Sequence, residues 1–183
     1  MACMTKGTAS FGVPDPREIF LCAEAFRSAT QWLAPGPQAR TEMWWSGEKT
    51  AVELAAPRLP YIICEALRVE FYLKCLYVIE RNEGIHGHDV CELFKSLKPE
   101  TRQAIEEKYK AIVATDGVRQ SLATVPEEYR TRVVDLSQYI ELSRRNFENM
   151  RYAYERPMDN MGGFPCFGDA LRETILLIRP EWA

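Results

Sequence analysis

The segment between Pro60 and Gly84 constrains the fold of this chain more than any other stretch. It reads PYIICEALRVEFYLKCLYVIERNEG, with proline at its start and glycine just past its end, an asymmetry typical of a helix. Apolar side chains cover nearly all faces of this helix: Phe71, Tyr72, Leu73, Cys75, Leu76, Tyr77, Val78 and Ile79. A helix that is apolar on every side must be covered by several neighbours. The segment therefore predicts the central helix of a helical bundle.

Other segments predict the helices that would cover it. Asp15 as N-cap, followed by proline and by apolar residues three and four apart, predicts a helix over 15–33. The stretch HDVCELFKSL predicts a short helix, and Pro99 opens the next one. A long apolar stripe predicts one helix from Pro126 through the stretch RRNFENMRYAYER, and ALRETILLIRP predicts a short closing helix over about 168–178.

The connections complete the predicted fold. The stretch before Pro60 holds two adjacent tryptophans, Trp44 and Trp45, and is predicted to be a long connection pinned to the core by these aromatics. The polar stretch from Val113 to Pro126 is predicted to be a mobile loop. A chain of 183 residues with 46% hydrophobic content suits one domain. We therefore predict an all-α fold: a single antiparallel up-and-down bundle of four to five main helices plus short helices.

Charge and targeting signals narrow the function classes. The formal net charge of -3 and the pI near 5.6 argue against a cationic surface over the whole molecule, so any nucleic-acid site must be local. The N-terminus lacks the apolar run of a signal peptide, and no stretch reaches the length of a membrane span. Most of the cysteines lie in apolar-periodic segments, as free thiols do. These features predict a cytoplasmic protein that does not bind membranes.

The stretch GIHGHDVC gathers His86, His88, Asp89 and Cys91, all of which can bind metals. A zinc site normally takes a second pair of ligands at a diagnostic distance, and none follows here. We therefore predict no metal and no cofactor, with Asp89 or His88 capping the short helix instead. A Cys-His nucleophilic pair ranks lower still because the cysteines occupy core positions.

The stretch RRNFENMRYAYER raises a choice between a solvated face and a ligand site. Arg144, Glu148, Arg151 and Glu155 alternate in sign at helical spacing, as on a salt-bridged exposed face. On the central helix, Glu70 and Lys74 are four residues apart and can pair in the same way. Lys74 could instead extend its ammonium to water or to a ligand phosphate.

The stretches ALRVEFYLKCLYVIE (66–80) and HDVCELFKSLKPETRQAIEEKY (88–109), read together, resemble HEPN domains, the helical domains named for higher eukaryotes and prokaryotes nucleotide-binding proteins. These domains have a helix of the type Ala-x-x-x-Glu-x-x-Leu-Lys before a helix that starts with His-Asp-aliphatic. The matching residues are Ala66, Glu70, Leu73, Lys74, His88, Asp89 and Leu93. The later RYAYE, Arg151 to Glu155, looks like the Arg-Tyr-x-Tyr-Glu ending of a bacterial branch of uncharacterised HEPN-like proteins. The resemblance covers about 60–155.

The resemblance implies a homodimer from a superfamily rich in RNA-cleaving toxins, antiphage effectors and nucleotidyltransferase partners. Active ribonucleases of this type place an Arg, a polar residue and, four to six residues later, a His across the dimer interface. Arg145 and Asn146 match the first two positions, but no histidine follows His88. Arginine cannot replace it as a general acid because its guanidinium stays protonated. The missing histidine therefore disfavours metal-independent ribonuclease activity of the usual kind.

Three functions from different classes follow. The favoured one is a non-enzymatic module, in a bacterial toxin-antitoxin or phage-defence setting, that binds RNA, a nucleotide or a partner protein through Lys74, Arg145, Arg151 and Tyr152. The second is a divergent endoribonuclease with the catalytic residues Arg145, Asn146 and His88. The third is a structural dimeric scaffold in which Arg151 binds Asp89 or Glu155. Its buried polar pairs would come from His88, Asp89, Arg151, Tyr154 and Glu155.

Overall fold

The computed structural model describes residues 12–33, 55–123, 127–144 and 166–183, with only the helical backbone described at 55–59, 128 and 129. Over this part of the chain the regular structure is helical and contains no strand, so the prediction of an all-α fold is confirmed. The helices are α1 Pro16–Leu33, α2 Ala55–Arg81, α3 Val90–Ser96, α4 Pro99–Val113, α5 Asp116–Ala123, α6 Glu127–Val134, α7 Leu136–Ser143 and α8 Cys166–Ile178, followed by a 3-10 turn, Pro180–Trp182.

Helix α2 lies at the centre of the described part, as its apolar faces predict. Tyr72, Leu73, Cys75 and Leu76 have no exposed surface. Helices α1, α3 and α8 pack against different sides of α2, and α4 packs against α8. The core is therefore continuous from α1 to α4 through the two helices between them.

The relative directions of α1, α2 and α8 follow from residue pairs. The Cys75 thiol donates to the Pro16 carbonyl at 3.2 Å, and Phe26, ten residues later in α1, stacks on Phe71, four residues earlier in α2. Helix α1 is therefore antiparallel to α2. Helix α1 is also antiparallel to α8, since Arg172 binds Glu24 at 2.9 Å and the later Trp182 contacts the earlier Phe20. Helices α2 and α8 therefore run in the same direction.

Three predicted boundaries are wrong. The predicted loop from Val113 to Pro126 contains α5, because Leu122 is buried against the core and Asp116 lies in the first turn, where a carboxylate favours the helix. The single helix predicted from Pro126 is interrupted at Asp135, whose carboxylate accepts from the Gln138 amide at 2.8 Å and starts α7. Helix α2 begins at Ala55, so that Pro60 lies inside it.

Other predicted boundaries hold. Asp15 accepts from the Arg17 amide at 2.8 Å at the start of α1, and α4 opens with Pro99. Helix α8 spans Cys166–Ile178, against a predicted start at 168. The paired tryptophans Trp44 and Trp45 lie outside the described residues.

An aromatic cluster joins α3, α4, α7 and α8. The ring of Phe167, which has no exposed surface, meets the rings of Tyr109, Tyr139 and Phe94 edge-on at 6.0 to 6.4 Å between centroids. The hydroxyl of Tyr109 donates to the Val133 carbonyl at the end of α6. Edge-on aromatic pairs add to the stability that apolar burial provides. The cluster therefore holds four helices around one phenylalanine.

Replacing Tyr109 with phenylalanine tests the hydroxyl alone. The Tyr109→Phe variant keeps the ring packing but leaves the Val133 carbonyl without its donor, so we expect the free energy of unfolding to fall by about 1–2 kcal/mol. Urea-induced unfolding followed by circular dichroism measures the change. The control is Tyr77→Phe, at a partly buried ring, for which we expect a change below about 0.5 kcal/mol. Equal stability of Tyr109→Phe and the parent would contradict this role.

Candidate functional site

Residues of the HEPN-like pattern lie together where α2 meets the start of α3. Glu70 is at the centre, with 3% of its surface exposed. Its Oε1 accepts from Lys74 Nζ at 2.7 Å, and His88 Nδ1 lies 3.0 Å from each of its carboxylate oxygens. The predicted pairing of Glu70 with Lys74 is therefore present. We call this group, together with Asp89 and Arg144, the α2–α3 corner.

The burial of Glu70 explains why these partners are needed. A carboxylate removed from water is costly unless it is paired and hydrogen-bonded. Here it receives hydrogen bonds from two side chains, one four residues along the same helix and one 18 residues away. In the neutral imidazole, a proton on Nδ1 would be donated to Glu70. His88 is thus oriented by a buried carboxylate although 47% of its own side chain is exposed.

Asp89 caps α3. The sequence predicts that either Asp89 or His88 does so. Its Oδ1 accepts from the amides of Cys91 and Glu92 at 3.0 and 3.1 Å, and its Oδ2 accepts from Arg144 Nε at 2.7 Å. Burial alone would raise the pKa of Asp89. The hydrogen bonds from Arg144 and from the two amides outweigh this effect and hold the pKa below its usual value.

Arg144 ties the end of α7 to the same corner. Its carbonyl accepts from the Val90 amide at 3.2 Å, and its guanidinium also lies 3.4 Å from Glu141 and 3.7 Å from Glu92. Only 35% of its side chain is exposed. The interpretation of Arg144 as part of a solvated stripe is therefore incomplete, because its shortest ion pair is with Asp89 on another helix.

The rest of the predicted site continues beyond this corner. The chain leaves Arg144 directly into the predicted catalytic and binding residues. Those that lie outside the described residues are Arg145, Asn146, Arg151, Tyr152, Tyr154 and Glu155, together with Glu148 of the predicted stripe. The members of the predicted site that the structure describes, Lys74, His88 and Asp89, lie close together: Lys74 and His88 both bind Glu70, and Asp89 follows His88 in the chain. The predicted bond between Arg151 and Asp89 also lies outside the described residues, while Asp89 itself binds Arg144.

One group of possible metal ligands occurs among the described residues. The ligand atoms of Asp89, Cys91 and Glu92 lie within 4.8 Å of one another. Both carboxylates already have cationic partners, since Asp89 binds Arg144 at 2.7 Å and Glu92 binds Lys95 at 3.2 Å. A metal ion there would compete with a guanidinium, and His88 faces Glu70 instead of this group.

A second polar cluster, which the sequence did not reveal, lies between α2 and α8. Arg68 Nη1 is 3.1 Å from Glu65 Oε2, and its Nη2 donates to Asp169 Oδ1. Glu65 and Arg68 each expose 2% of their surface. We call Glu65, Arg68 and Asp169 the buried triad. Its signal in the sequence is weak: an oppositely charged pair three residues apart on a helix that is otherwise apolar all round.

A neighbouring group ties α1 to the same two helices. Glu24 Oε1 accepts from the Tyr72 hydroxyl and from Arg172 Nε, the latter at 2.9 Å. The Arg68 guanidinium lies 5.7 Å from the centre of the Tyr72 ring. Burial and the hydrogen bond to Glu24 raise the pKa of Tyr72, so this hydroxyl remains a donor at neutral pH.

The described cysteines are free thiols: Cys22, Cys64, Cys75, Cys91 and Cys166. Burial raises the pKa of Cys75 and of Cys166 to about 12. The thiolate is the nucleophilic form of cysteine. These two side chains therefore behave as small apolar groups, as the sequence predicts for Cys75 but not for Cys166, which lies in a predicted loop.

Comparisons of the chain with models of known protein families, with curated proteins and with solved structures gave no match. None of the helices in the described part has both the length and the apolar character that crossing a membrane requires.

Removing the Asp89 carboxylate tests the α2–α3 corner. In Asp89→Ala, α3 loses its cap and Arg144 loses its closest partner, so we expect the free energy of unfolding to fall by about 1–2 kcal/mol at pH 7. Because folding lowers the pKa of Asp89, its contribution is present above the pKa of the unfolded chain and is lost as the pH falls. The difference should therefore shrink below about pH 4. Urea unfolding at several pH values measures it.

The matched control for Asp89→Ala is Glu141→Ala. It removes another partner of Arg144, and the Glu141 side chain is 64% exposed. We expect a change below about 0.5 kcal/mol, since exposed ion pairs contribute little. If the two variants were equally stable at pH 7, Asp89 would not hold this corner together.

Gly168 makes the buried triad testable by a single methyl group. A Cβ at this position would lie 2.8 Å from both Arg68 Cζ and Glu65 Oε1. We therefore expect Gly168→Ala to lower the free energy of unfolding by about 1–3 kcal/mol, the usual cost of overpacking. Gly117→Ala is the control, because nothing lies within 4 Å of its added Cβ. Because alanine favours helices over glycine, Gly117→Ala in α5 should leave the free energy of unfolding unchanged or raise it by up to about 1 kcal/mol. Thermal unfolding measures both variants, and a melting temperature of Gly168→Ala above that of Gly117→Ala would contradict the close packing at Gly168.

Proposed function

We propose that this protein is an HEPN-like helical module that binds RNA or a nucleotide without cleaving it. The observation that carries the proposal is the position of Arg144. Its carbonyl and its guanidinium are both bound at the start of α3, at 3.2 Å from the Val90 amide and 2.7 Å from Asp89. Arg145 and Asn146, which match the first two positions of the HEPN ribonuclease motif, follow Arg144 directly in the sequence, and the corner to which Arg144 is bound also holds Lys74 and His88.

The charges of the α2–α3 corner indicate how a phosphate would be bound. Lys74 is paired with Glu70 and Arg144 with Asp89, so the described cations are largely neutralised within the corner. In this proposal the additional positive charge comes from Arg145 and Arg151. Arginine suits this role because its planar guanidinium makes forked contacts with phosphate oxygens. Tyr152 supplies an aromatic face on which a base could stack.

The absence of cleavage in this proposal follows from acid–base chemistry. Attack of a ribose 2′-hydroxyl on the neighbouring phosphate needs a group that takes up and gives back a proton near neutral pH. The chain has histidines at positions 86 and 88 only. The resemblance expects the catalytic histidine four to six residues after the Arg-Asn pair. The three residues there are arginine, tyrosine and alanine. An arginine there can bind phosphate but cannot exchange its proton.

A divergent ribonuclease is the second candidate, and the geometry of His88 favours it. The imidazole is oriented by a buried carboxylate and is partly exposed, the arrangement in which histidines serve as general bases. In this alternative His88 would take the role of the missing histidine, with Arg145 stabilising the phosphate.

An end-labelled mixed RNA pool separates these functions. The parent protein is incubated with the pool in the presence of EDTA and examined for both gel retardation and cleavage. We expect retardation without cleavage, and a loss of affinity in Arg145→Ala of about 10- to 100-fold, the effect of removing one charged hydrogen-bonding group. The matched control is Arg119→Ala, an exposed arginine of α5. Its affinity should stay near that of the parent.

The other outcomes decide between the alternatives. Cleavage that is lost in both Arg145→Ala and His88→Ala would establish the ribonuclease. Neither retardation nor cleavage would contradict nucleic-acid binding and favour a scaffold that binds a partner protein. Thermal unfolding of Arg145→Ala should match the parent, so that a lost affinity is not a lost fold.

A further inference from the structure

A single guanidinium is shared by two carboxylates where α8 begins to pack on α2. Arg68 lies between Glu65, at 3.1 Å, and Asp169, to which it also donates a hydrogen bond. The side chains of Arg68 and Glu65 are each 3% exposed, whereas that of Asp169 is 43% exposed. The buried triad therefore has one carboxylate inside the protein and one that reaches water.

The charges of the buried triad do not balance when both carboxylates are ionised. One positive and two negative groups leave an excess negative charge, and an uncompensated charge in the interior is costly. Water reaches the Asp169 carboxylate, whose side chain is 43% exposed, but not that of Glu65, which is 3% exposed. Glu65 is therefore the group that a proton would neutralise at the lowest cost.

The surroundings of Glu65 point the same way. Burial raises the pKa of Glu65 to about 7; Arg68 lowers it in part, and Asp169 raises it further. Among described residues, Cys64 and Tyr72 of α2 and Cys166 of α8 are the nearby neutral titratable groups, each with a pKa that is raised. From α1 the charged groups are Glu24 and Arg27, which pair with each other at 3.7 Å, and Glu24 also binds Arg172 of α8.

Gly168 connects the charge of Glu65 to the position of α8. The backbone of α8 at this residue is so close that an added Cβ would lie within 3 Å of Glu65 and of Arg68. The first turn of α8 thus rests directly on the ion pair. Asp169, the next residue, is held by the same guanidinium. A change in the charge or position of the pair must therefore act on this turn.

We propose that the buried triad is a proton-binding site that couples pH near neutrality to the packing of the first turn of α8 on α2. When Glu65 carries a proton taken from water, the triad is neutral and the turn packs closely. When the proton is lost, the excess negative charge at the interface loosens this contact. The inference concerns stability and packing, and it does not depend on RNA binding.

The sign of the pH dependence follows from proton linkage. The pKa of Glu65 is higher in the folded protein than its ordinary value of 4.5. Its contribution to stability is therefore full at low pH and is lost as the pH rises to about 7. Relative to a variant with a neutral side chain at this position, the unfolding equilibrium constant of the parent should rise by up to about 100-fold between pH 5 and pH 8.

The first test uses the parent protein alone. Glutamate labelled with ¹³C at the side-chain carboxyl is followed by NMR as the pH is raised. We expect one carboxyl resonance to titrate near pH 7. The amides at 170–173 donate to carbonyls of the first turn of α8, and their hydrogen exchange, corrected for the intrinsic rate, should become faster above that pH. If every glutamate carboxyl titrated below about pH 5.5, the proposal would be overturned.

Variants then assign the effect. Glu65→Gln mimics the protonated side chain, so it should remove the resonance that titrates near pH 7 and the pH dependence of exchange in α8. The control is Glu173→Gln on α8, whose side chain is 47% exposed and pairs with Lys108. It should keep both properties of the parent. If Glu65→Gln kept the parent's pH dependence, the site would be elsewhere and the proposal wrong; if Glu65→Gln did not fold, the titration of the parent would still decide.

Discussion

Helix α2 imposes the constraint on which the described structure depends, because it is apolar on nearly every side and yet carries charged residues. Covering it removes water from Tyr72, Leu73 and Leu76, and at the same time from Glu65, Arg68 and Glu70. Buried polar groups then need hydrogen-bond partners, and the elements that cover α2 supply several of them. Helix α1 supplies Glu24 for Tyr72, α8 supplies Asp169 for Arg68, and the turn before α3 supplies His88 for Glu70. The apolar surface brings the helices together, and these polar pairs select the partner on each side.

The two polar groups differ in what they can do chemically. The α2–α3 corner is balanced in charge and partly open, with an imidazole and a guanidinium near the surface. Such a group can hold a ligand or another chain segment by exchanging one ion pair for another. The buried triad is closed and unbalanced, so it responds to protons more readily than to larger ligands. Segment 145–165, which contains most of the predicted binding residues, lies outside the described residues. Arg144 before it belongs to the first group, and Cys166 after it lies near the second.

The sequence predicts local features of this molecule well because they depend on nearby residues. The apolar faces of α2, the Asp15 cap of α1, the Glu70–Lys74 pair and the Asp89 cap all involve residues at most four positions apart. Periodicity misled where a stronger local signal competed: the stripe through Val133 and Leu136 continues across Asp135, but that carboxylate caps a new helix.

Pairs between distant residues could not be predicted in this way. Arg144 binds Asp89 across 55 residues, and Arg68 binds Asp169 across 101. Nothing in the spacing of either pair distinguishes it from the other charged residues of a chain that is 27% charged. Such pairs appear only once the packing of α2, α3, α7 and α8 is known.

Gly168 has a consequence for how sequences with this packing can diverge. Its missing side chain is what allows α8 to approach the Glu65–Arg68 pair, and a Cβ there would overlap both. A larger residue at 168 requires the ends of the Glu65 and Arg68 side chains to move, or one of these residues to become smaller. The three positions should therefore be replaced together across relatives, as a unit of co-substitution, although they are separated by about a hundred residues of chain.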